Sequence, residues 1–189
     1  MADYRRWYVP GGTYFFTVVT FGRRRWLVQD RWRNLLREAI EKERLKRPFQ
    51  VVAWVLLPDH MHAVWTLPPG DQRYSLRWQK IKEEFTKSFL QQGGCEGVRN
   101  RSRRHRRERS VWQRRFWEHT IRDEFDLERC VDYAHWNPVK HGLVQQVCDW
   151  KWSTFHRFVQ AGHYGMDWGR ADLDEESLDS DWGEWPEVL

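Results

Sequence analysis

The sequence predicts an α+β fold, a ferredoxin-like antiparallel sheet with helices on one face. Segments rich in β-branched and aromatic residues alternate with segments whose apolar residues recur at helical spacing. Their order is β-α-β-β-α-β followed by a further helix, which is the ferredoxin-like pattern. At 189 residues the chain has room for one domain with a real core.

Each element has its own local signal. The predicted strands are residues 13–20, 50–57, 60–67 and 111–121. The predicted helices are residues 30–47, residues 75–92 and a third that ends near Pro138. Asp30 is the candidate cap of the first helix, and Asp123 or Asp126 that of the third. Pro58-Asp59 joins the second and third strands by a hairpin or a sharply bulged corner.

The charge distribution points to a polyanionic partner. Residues 167–189 hold nine acids and one base, so residues 1–166 carry a net charge of +13 within a total of +5. We therefore expect a domain over residues 1–166 and an acidic tail over residues 167–189. The tail either competes with this polyanion for the basic surface or is a solubilising disordered segment.

Other sequence features limit the class of protein. No signal peptide and no membrane span is recognised, so a cytoplasmic protein without membrane contact is expected. The three cysteines form no CxxC pair and indicate neither a disulfide framework nor a zinc knuckle.

His60 and His62 form a candidate metal site. Residues i and i+2 of a strand point to the same face, so both imidazoles project side by side while Met61 turns into the packing. Two neutral imidazoles make half of a divalent metal site. The alternative is two unrelated surface histidines.

Tyr133 and Asn137 form a second candidate pair. They are i and i+4 on a helix, so a phenol and a carboxamide share one face. The alternatives are a packing tyrosine and a simple Asn-Pro helix stop.

Together these segments resemble a known family. His60 and His62 after Leu57-Pro58-Asp59 are similar to the HUH motif, and Tyr133 with residues 137–144 is similar to the tyrosine segment of Y1 transposases of the IS200/IS605 type. Residues 10–17 and 114–119 are similar to the REP-associated tyrosine transposase branch. The resemblance runs from about Arg5 to Phe158.

The resemblance implies a reaction and a set of roles. It implies a ferredoxin-like fold and cleavage of single-stranded DNA at or near a hairpin, with Tyr133 joined to the 5′ phosphate. It also implies metal binding by His60, His62 and Asn137. This sequence carries Asn137 where the insertion-sequence enzymes have Gln, a side chain one methylene longer. The insertion-sequence relatives are expected to act as dimers and the REP-associated branch as monomers, so a monomer is favoured over a dimer.

The chemistry of the site favours Mg²⁺ or Mn²⁺. A tyrosine with an ordinary pKa of about 10 is a weak nucleophile against a charged phosphodiester. A divalent ion on a nonbridging oxygen offsets that charge. Imidazoles alone suit zinc equally well, but phosphate chemistry with an amide ligand favours the harder ions.

Basic residues outside the motifs are candidate DNA contacts. Residues 99–109 hold seven arginines and no apolar residue, which predicts a solvated loop that phosphates neutralise. The lysines of the second helix either follow a DNA backbone or form a solvated face. The candidates are Arg5, Arg6, Lys80, Lys82, Lys87, Arg103, Arg104, Arg114 and Arg115.

Two rival functions remain open at this point. One is a hairpin-binding regulator of the same fold without catalysis, and the other is a nuclease in which a metal-bound water attacks while Tyr133 only packs. Only the transposase leaves protein covalently attached to DNA.

Overall fold

Four antiparallel strands form the sheet in the computed structural model, which describes residues 7–171. The strands are β1 (Thr13–Val19), β2 (Gln50–Leu56), β3 (His60–Thr66) and β4 (Trp117–Thr120). Their order is β2-β3-β1-β4. The α+β class and the ferredoxin-like order of elements are therefore confirmed.

Five helices accompany the sheet within the described residues. They are α1 (Asp30–Lys46), α2 (Tyr74–Gln91), α3 (Arg101–His105), α4 (Glu124–Lys140) and α5 (Phe155–Gln160). Helices α1 and α2 pack on one face of the sheet through a core that includes Phe16 and the stacked pair Trp65 and Trp78, whose ring centroids are 4.1 Å apart. Helix α4 covers the other face, where Phe15 and Ala134 are buried. The sheet therefore separates two apolar layers, so the prediction of helices on one face holds for α1 and α2 but not for α4.

A tight hairpin joins β2 to β3 and fixes the start of β3. The amide of Leu57 donates to the carbonyl of His60 at 2.9 Å. The turn between them is held from outside, since Asp59 accepts from the amide of Thr20 and Pro58 accepts from that of Leu27, each at 2.9 Å. The connection is a hairpin, and the sheet irregularity lies between Val51 and Ala53 instead.

Three predicted boundaries were wrong. Gln29 precedes α1, and Asp30 lies inside its first turn, paired with Arg33 at 2.6 Å, so Asp30 is not the cap. The fourth strand is only four residues long because Trp112 forms just an isolated bridge with Thr20.

The third error concerns the end of α4. The helix runs through Pro138 to Lys140, because proline removes only one helical donor and the next turn closes with the amide of His141 on the carbonyl of Asn137 at 2.9 Å. The cap at its other end is Asp123, which accepts from the amide of Asp126 at 2.8 Å.

The prediction of a solvated arginine loop was wrong for the backbone and for Arg103, whereas five of the seven arginines are exposed as predicted. Residues 101–105 form α3, capped by Asn100, and Arg103 is only 7% exposed. Its guanidinium donates to the carbonyls of Arg109 and Trp112 at 2.7 and 3.2 Å and lies over the ring of Phe21. Arginine can be buried here because carbonyl acceptors and an aromatic face replace the water that it loses. Arg103, a candidate DNA contact, therefore holds this segment together instead.

The C-terminal segment closes the layer above α4. Trp168 packs with its ring centroid 4.4 Å from that of Tyr164, and the amide of Ala171 donates to the carbonyl of Gln145. The first residues of the predicted tail thus contact the domain, while residues 172–189 lie outside the described residues, as do Arg5 and Arg6. The division at residue 166 stays a prediction. Among the described helices, none has the length and apolar character to cross a membrane.

Candidate active site

His60 and His62 lie side by side on β3, as their spacing predicts. Their ring centroids are 5.0 Å apart, and both side chains are nearly buried, at 5% and 3% exposure. Met61 between them is buried in the opposite layer with α1 and α2. Alternation along the strand therefore delivers both imidazoles to the face that α4 covers.

A neighbouring side chain holds the Nδ1 atom of each imidazole. Nδ1 of His62 lies 3.0 Å from the hydroxyl of Thr17, the residue opposite it on β1. Nδ1 of His60 lies 2.7 Å from the carboxylate of Asp59. Burial acts to raise the pKa of that carboxyl, but the hydrogen bond and charge of His60, helped by Arg23, outweigh burial and lower it. A histidine whose Nδ1 is held in this way presents Nε2 to a metal.

Tyr133 and Asn137 approach the same point from α4. The ring centroid of Tyr133 is 5.4 Å from that of His62 and 5.9 Å from that of Phe15. The side-chain amide of Asn137 donates to the carbonyl of Tyr133 at 2.6 Å, which fixes the orientation of its carboxamide. The helix thus brings the predicted phenol and carboxamide onto the two histidines.

Two buried polar atoms at this point lack a hydrogen bond. Nε2 of His62 and Oδ1 of Asn137 find no partner among residues 7–171. Burial is the largest cause that lowers the pKa of His62 well below its ordinary value, the charge of His60 adds to it, and the nearby Asn137 side chain opposes it. Asn137 therefore lies close enough to act on His62, although Oδ1 and Nε2 do not bond to each other. A neutral imidazole nitrogen and an amide oxygen, both buried and unsatisfied, suit a divalent cation.

A second group of potential ligands lies on the same face of the sheet but fits a metal poorly. Ligand atoms of His119, Asp126 and Cys130 lie within 4.8 Å of one another. The carboxylate of Asp126 is already engaged by His119 at 2.8 Å and by Arg122 at 3.0 Å. Burial raises the pKa of the Cys130 thiol, which keeps it protonated. This cluster ties β4 to α4 instead.

A basic groove runs between α2 and residues 103–116, the segment that begins in α3 and continues beyond it. The groove has a volume of about 900 Å³. Its cationic side chains are Lys82, Lys87, Arg103, Arg106, Arg107, Arg109 and Arg114. Four of the predicted DNA contacts therefore line one surface. Lys80, Arg104 and Arg115 do not line this groove, and Lys80 is paired with Glu83 at 2.8 Å.

Sequence reasoning missed two residues beside the histidines. The ammonium of Lys140 lies 5.3 Å from the ring centroid of Tyr133, and the ring of His141 lies 5.1 Å from that of His60. Both charges act to lower the pKa of His62. Lys140 is i+7 from Tyr133, so helical spacing would have revealed it had the helix not been ended at Pro138.

A model of the family described as IS200-like transposases matches residues 9–137, a span that includes both histidines, the tyrosine and the asparagine. The chain belongs to the IS200-like transposase family. The predicted family is therefore confirmed, and with it a DNA-cleaving transposase of a family that is generally metal-dependent.

Relatives of this IS200-like transposase extend over most of its length. A REP-associated tyrosine transposase of Escherichia coli strain K12 is 48% identical over 168 residues, covering 89% of this chain and 91% of that protein. A Haemophilus influenzae relative named for the same group is 43% identical over 169 residues, covering 89% and 94%. A solved structure of a REP-associated tyrosine transposase bound to a REP hairpin matches with a TM-score of 0.74 at 47% identity, covering 89% of this chain and 91% of that one. The likeness to the REP-associated branch is thereby confirmed.

Proposed function

We propose that this transposase cuts single-stranded DNA at or near a REP-type hairpin through a covalent bond between Tyr133 and the 5′ phosphate. The observation that carries the proposal is the meeting of Tyr133 with His62, at 5.4 Å between ring centroids, beside two unsatisfied buried ligand atoms. A packing tyrosine needs no such atoms. A nucleophile directed at a phosphodiester does, because the negative charge of the phosphate must be offset.

Tyr133 supplies the nucleophile in both halves of the reaction. In cleavage, the phenol gives up its proton to solvent and its oxygen bonds to phosphorus, while the bond from phosphorus to the 3′ oxygen breaks and that oxygen takes up a proton. The phosphotyrosine conserves the energy of the broken bond, so a 3′ hydroxyl of another strand can displace the phenol without ATP. The ring packs against Phe15 and His62, which holds the phenol in place.

His60, His62 and Asn137 are the proposed ligands of Mg²⁺ or Mn²⁺. When bound, such an ion neutralises phosphate charge and orients the phosphorus for in-line attack. Thr17 and Asp59 hold the Nδ1 atoms of the two imidazoles, so that each ring presents its Nε2 atom as the metal ligand. The carboxamide of Asn137 is anchored on the carbonyl of Tyr133, and its Oδ1 is buried without a hydrogen bond, which supports a ligand role despite the shorter side chain.

The basic groove is the proposed contact for the DNA backbone. Lys82, Lys87 and Arg114 line it, and Arg103 shapes it from within. The similar protein of known structure was solved with a REP hairpin, which supports a folded hairpin as the substrate of this chain. Phosphate contacts of this kind give affinity that falls steeply with salt, while base contacts give specificity. We propose that the chain acts as a monomer.

A labelled hairpin tests the proposal. Purified protein is mixed with Mg²⁺ or Mn²⁺ and hairpin oligonucleotides with single-stranded flanks, labelled at the 5′ or the 3′ end, and run on a denaturing protein gel. We expect a covalent band that carries only the 3′ label, because the tyrosine keeps the 5′ phosphate of that fragment. Tyr133→Phe should abolish it. Tyr8→Phe is the matched control. Tyr8 is 44% exposed, and its hydroxyl contacts that of Ser75 on α2.

The other outcomes separate the rival functions. Cleavage without a covalent band, unchanged in Tyr133→Phe, would identify a nuclease that uses water as the nucleophile. Binding of REP hairpins without cleavage in either metal would identify a regulator. Retention of the band in Tyr133→Phe would move the nucleophile to another residue.

A further inference from the structure

Lys140 lies beside the nucleophile although it is an exposed residue at the end of α4. It follows Tyr133 by two helical turns, which returns its side chain to the same face of the helix. Its ammonium lies over the Tyr133 ring, 5.3 Å from the centroid. The same charge acts to lower the pKa of the buried imidazole of His62, which agrees with the position of the ammonium beside the ring of Tyr133.

Contact with an aromatic ring holds an ammonium less strongly than contact with a phosphate does. A charge-assisted hydrogen bond to a phosphate oxygen is stronger, and lysine serves at phosphates as a mobile point charge. The scissile phosphate must come within bonding distance of the phenolic oxygen, which places its nonbridging oxygens within reach of the lysine head group.

We propose that Lys140 is a catalytic residue that binds a nonbridging oxygen of the scissile phosphate and stabilises the charge that develops as Tyr133 attacks. This inference rests on the proposed tyrosine mechanism. In cleavage, the phenolic oxygen bonds to phosphorus, its proton passes to solvent, and the departing 3′ oxygen gains a proton. In rejoining, the same bonds change in reverse. Lys140 keeps its proton throughout. Its ammonium stabilises the negative charge of the pentacoordinate transition state in both cleavage and rejoining.

The test separates charge from affinity with three variants. Lys140→Met removes the charge and keeps most of the side-chain length, and Lys140→Arg keeps the charge. Lys151→Met is the matched control, because Lys151 is also exposed and also lies over an aromatic ring, 4.5 Å from the centroid of Trp152. Circular dichroism and thermal melting check that each variant is folded.

Two quantities are measured for each variant. The first is the single-turnover rate of covalent-band formation with protein saturating over a labelled REP hairpin. The second is the dissociation constant for the same hairpin in the Tyr133→Phe background, where no cleavage interferes. We expect Lys140→Met to slow the covalent step about 100-fold, the loss typical of one donor to developing charge, and to change the dissociation constant less than about 5-fold. Lys140→Arg should remain within about 10-fold of wild type, and Lys151→Met should match wild type.

Rejoining gives an independent readout. When a 3′ hydroxyl strand is added to the purified covalent complex, Lys140→Met should slow release of the tyrosine by a similar factor, because forward and reverse reactions share one transition state. A wild-type rate in Lys140→Met would overturn the proposal, and so would a loss confined to the dissociation constant, which would make Lys140 a binding residue. Equal loss in Lys140→Met and Lys140→Arg would exclude a role for the charge. Absence of any covalent band in the wild type would instead overturn the tyrosine mechanism itself.

Discussion

His135 makes stability depend on pH in a way that one substitution can isolate. The residue is fully buried on the side of α4 that faces α5, where Nε2 lies 2.9 Å from the hydroxyl of Thr154 and Nδ1 lies 3.3 Å from that of Tyr164. Burial lowers the pKa of His135 from 6.5 to about 3, with a further contribution from the charge of Arg157. The folded protein therefore holds this imidazole neutral at pH values at which the unfolded chain protonates it.

The sign and size follow from proton linkage. The folded state binds fewer protons than the unfolded state, so His135 costs nothing at pH 7.5 and destabilises the fold as the pH falls below 6.5. Each further pH unit costs about 1.4 kcal/mol, so the loss at pH 5 is about 2 kcal/mol. Asp132 acts in the opposite direction. Burial raises the pKa of its carboxyl to about 6, so protonation of this carboxyl in the folded state raises the free energy of unfolding as the pH falls. The two effects partly cancel in the wild type.

His135→Phe removes the contribution of the histidine to the pH dependence of stability and leaves the contribution of Asp132. We expect the variant to lose stability at pH 7.5, through the two lost hydrogen bonds, and to recover about 2 kcal/mol relative to wild type by pH 5. Urea unfolding at pH 7.5, 6.5 and 5, with EDTA present in all samples, measures the difference. His163→Phe, at an exposed histidine, is the control. Parallel stability curves for wild type and His135→Phe across this range would refute the reasoning.

Three further predictions concern the site and the groove. Thr17→Val removes the contact of His62 Nδ1 and should weaken Mn²⁺ binding about 10- to 100-fold with the fold intact, measured by calorimetry; unchanged affinity would show that Thr17 does not orient the imidazole. Arg103→Met should cost about 2 kcal/mol in urea unfolding because two carbonyls lose a charged donor, and a cost near zero would contradict its structural role. Lys82→Gln and Lys87→Gln should each lower the slope of log affinity against log salt by about 1, whereas a constant slope would remove the groove from the DNA path.

Local patterns were sufficient to predict the first three strands and the shared faces of the candidate site residues. The alternation that buries Met61 in one layer turns His60 and His62 toward α4. The two-residue period of the strand therefore predicted correctly that the two imidazoles lie side by side. Likewise, the i and i+4 spacing of Tyr133 and Asn137 predicted their shared face. These features depend on sequence distances of a few residues, which a single sequence displays directly.

The missed features depend on partners that are distant in sequence. Thr17 lies opposite His62 only because β1 and β3 pair in one register, and no local pattern states that register. Arg103 is buried because two carbonyls and Phe21 receive it, although its arginine-rich neighbourhood has the composition of a solvated loop. Lys140 was missed because tertiary packing carries α4 past a proline that would end an isolated helix.

The sheet also affects how such a protein can change during evolution. The candidate reaction centre depends on β3 and α4 on one side, while the basic groove depends on α2 and the segment around α3, with α2 packed on the other side. Because the groove is the proposed contact for the DNA backbone, substitutions along it would change DNA affinity and leave the layer beneath α4 in place. A protein built in this way can strengthen or weaken its hold on a DNA backbone by surface mutation alone, without disturbing the residues proposed to carry out the reaction.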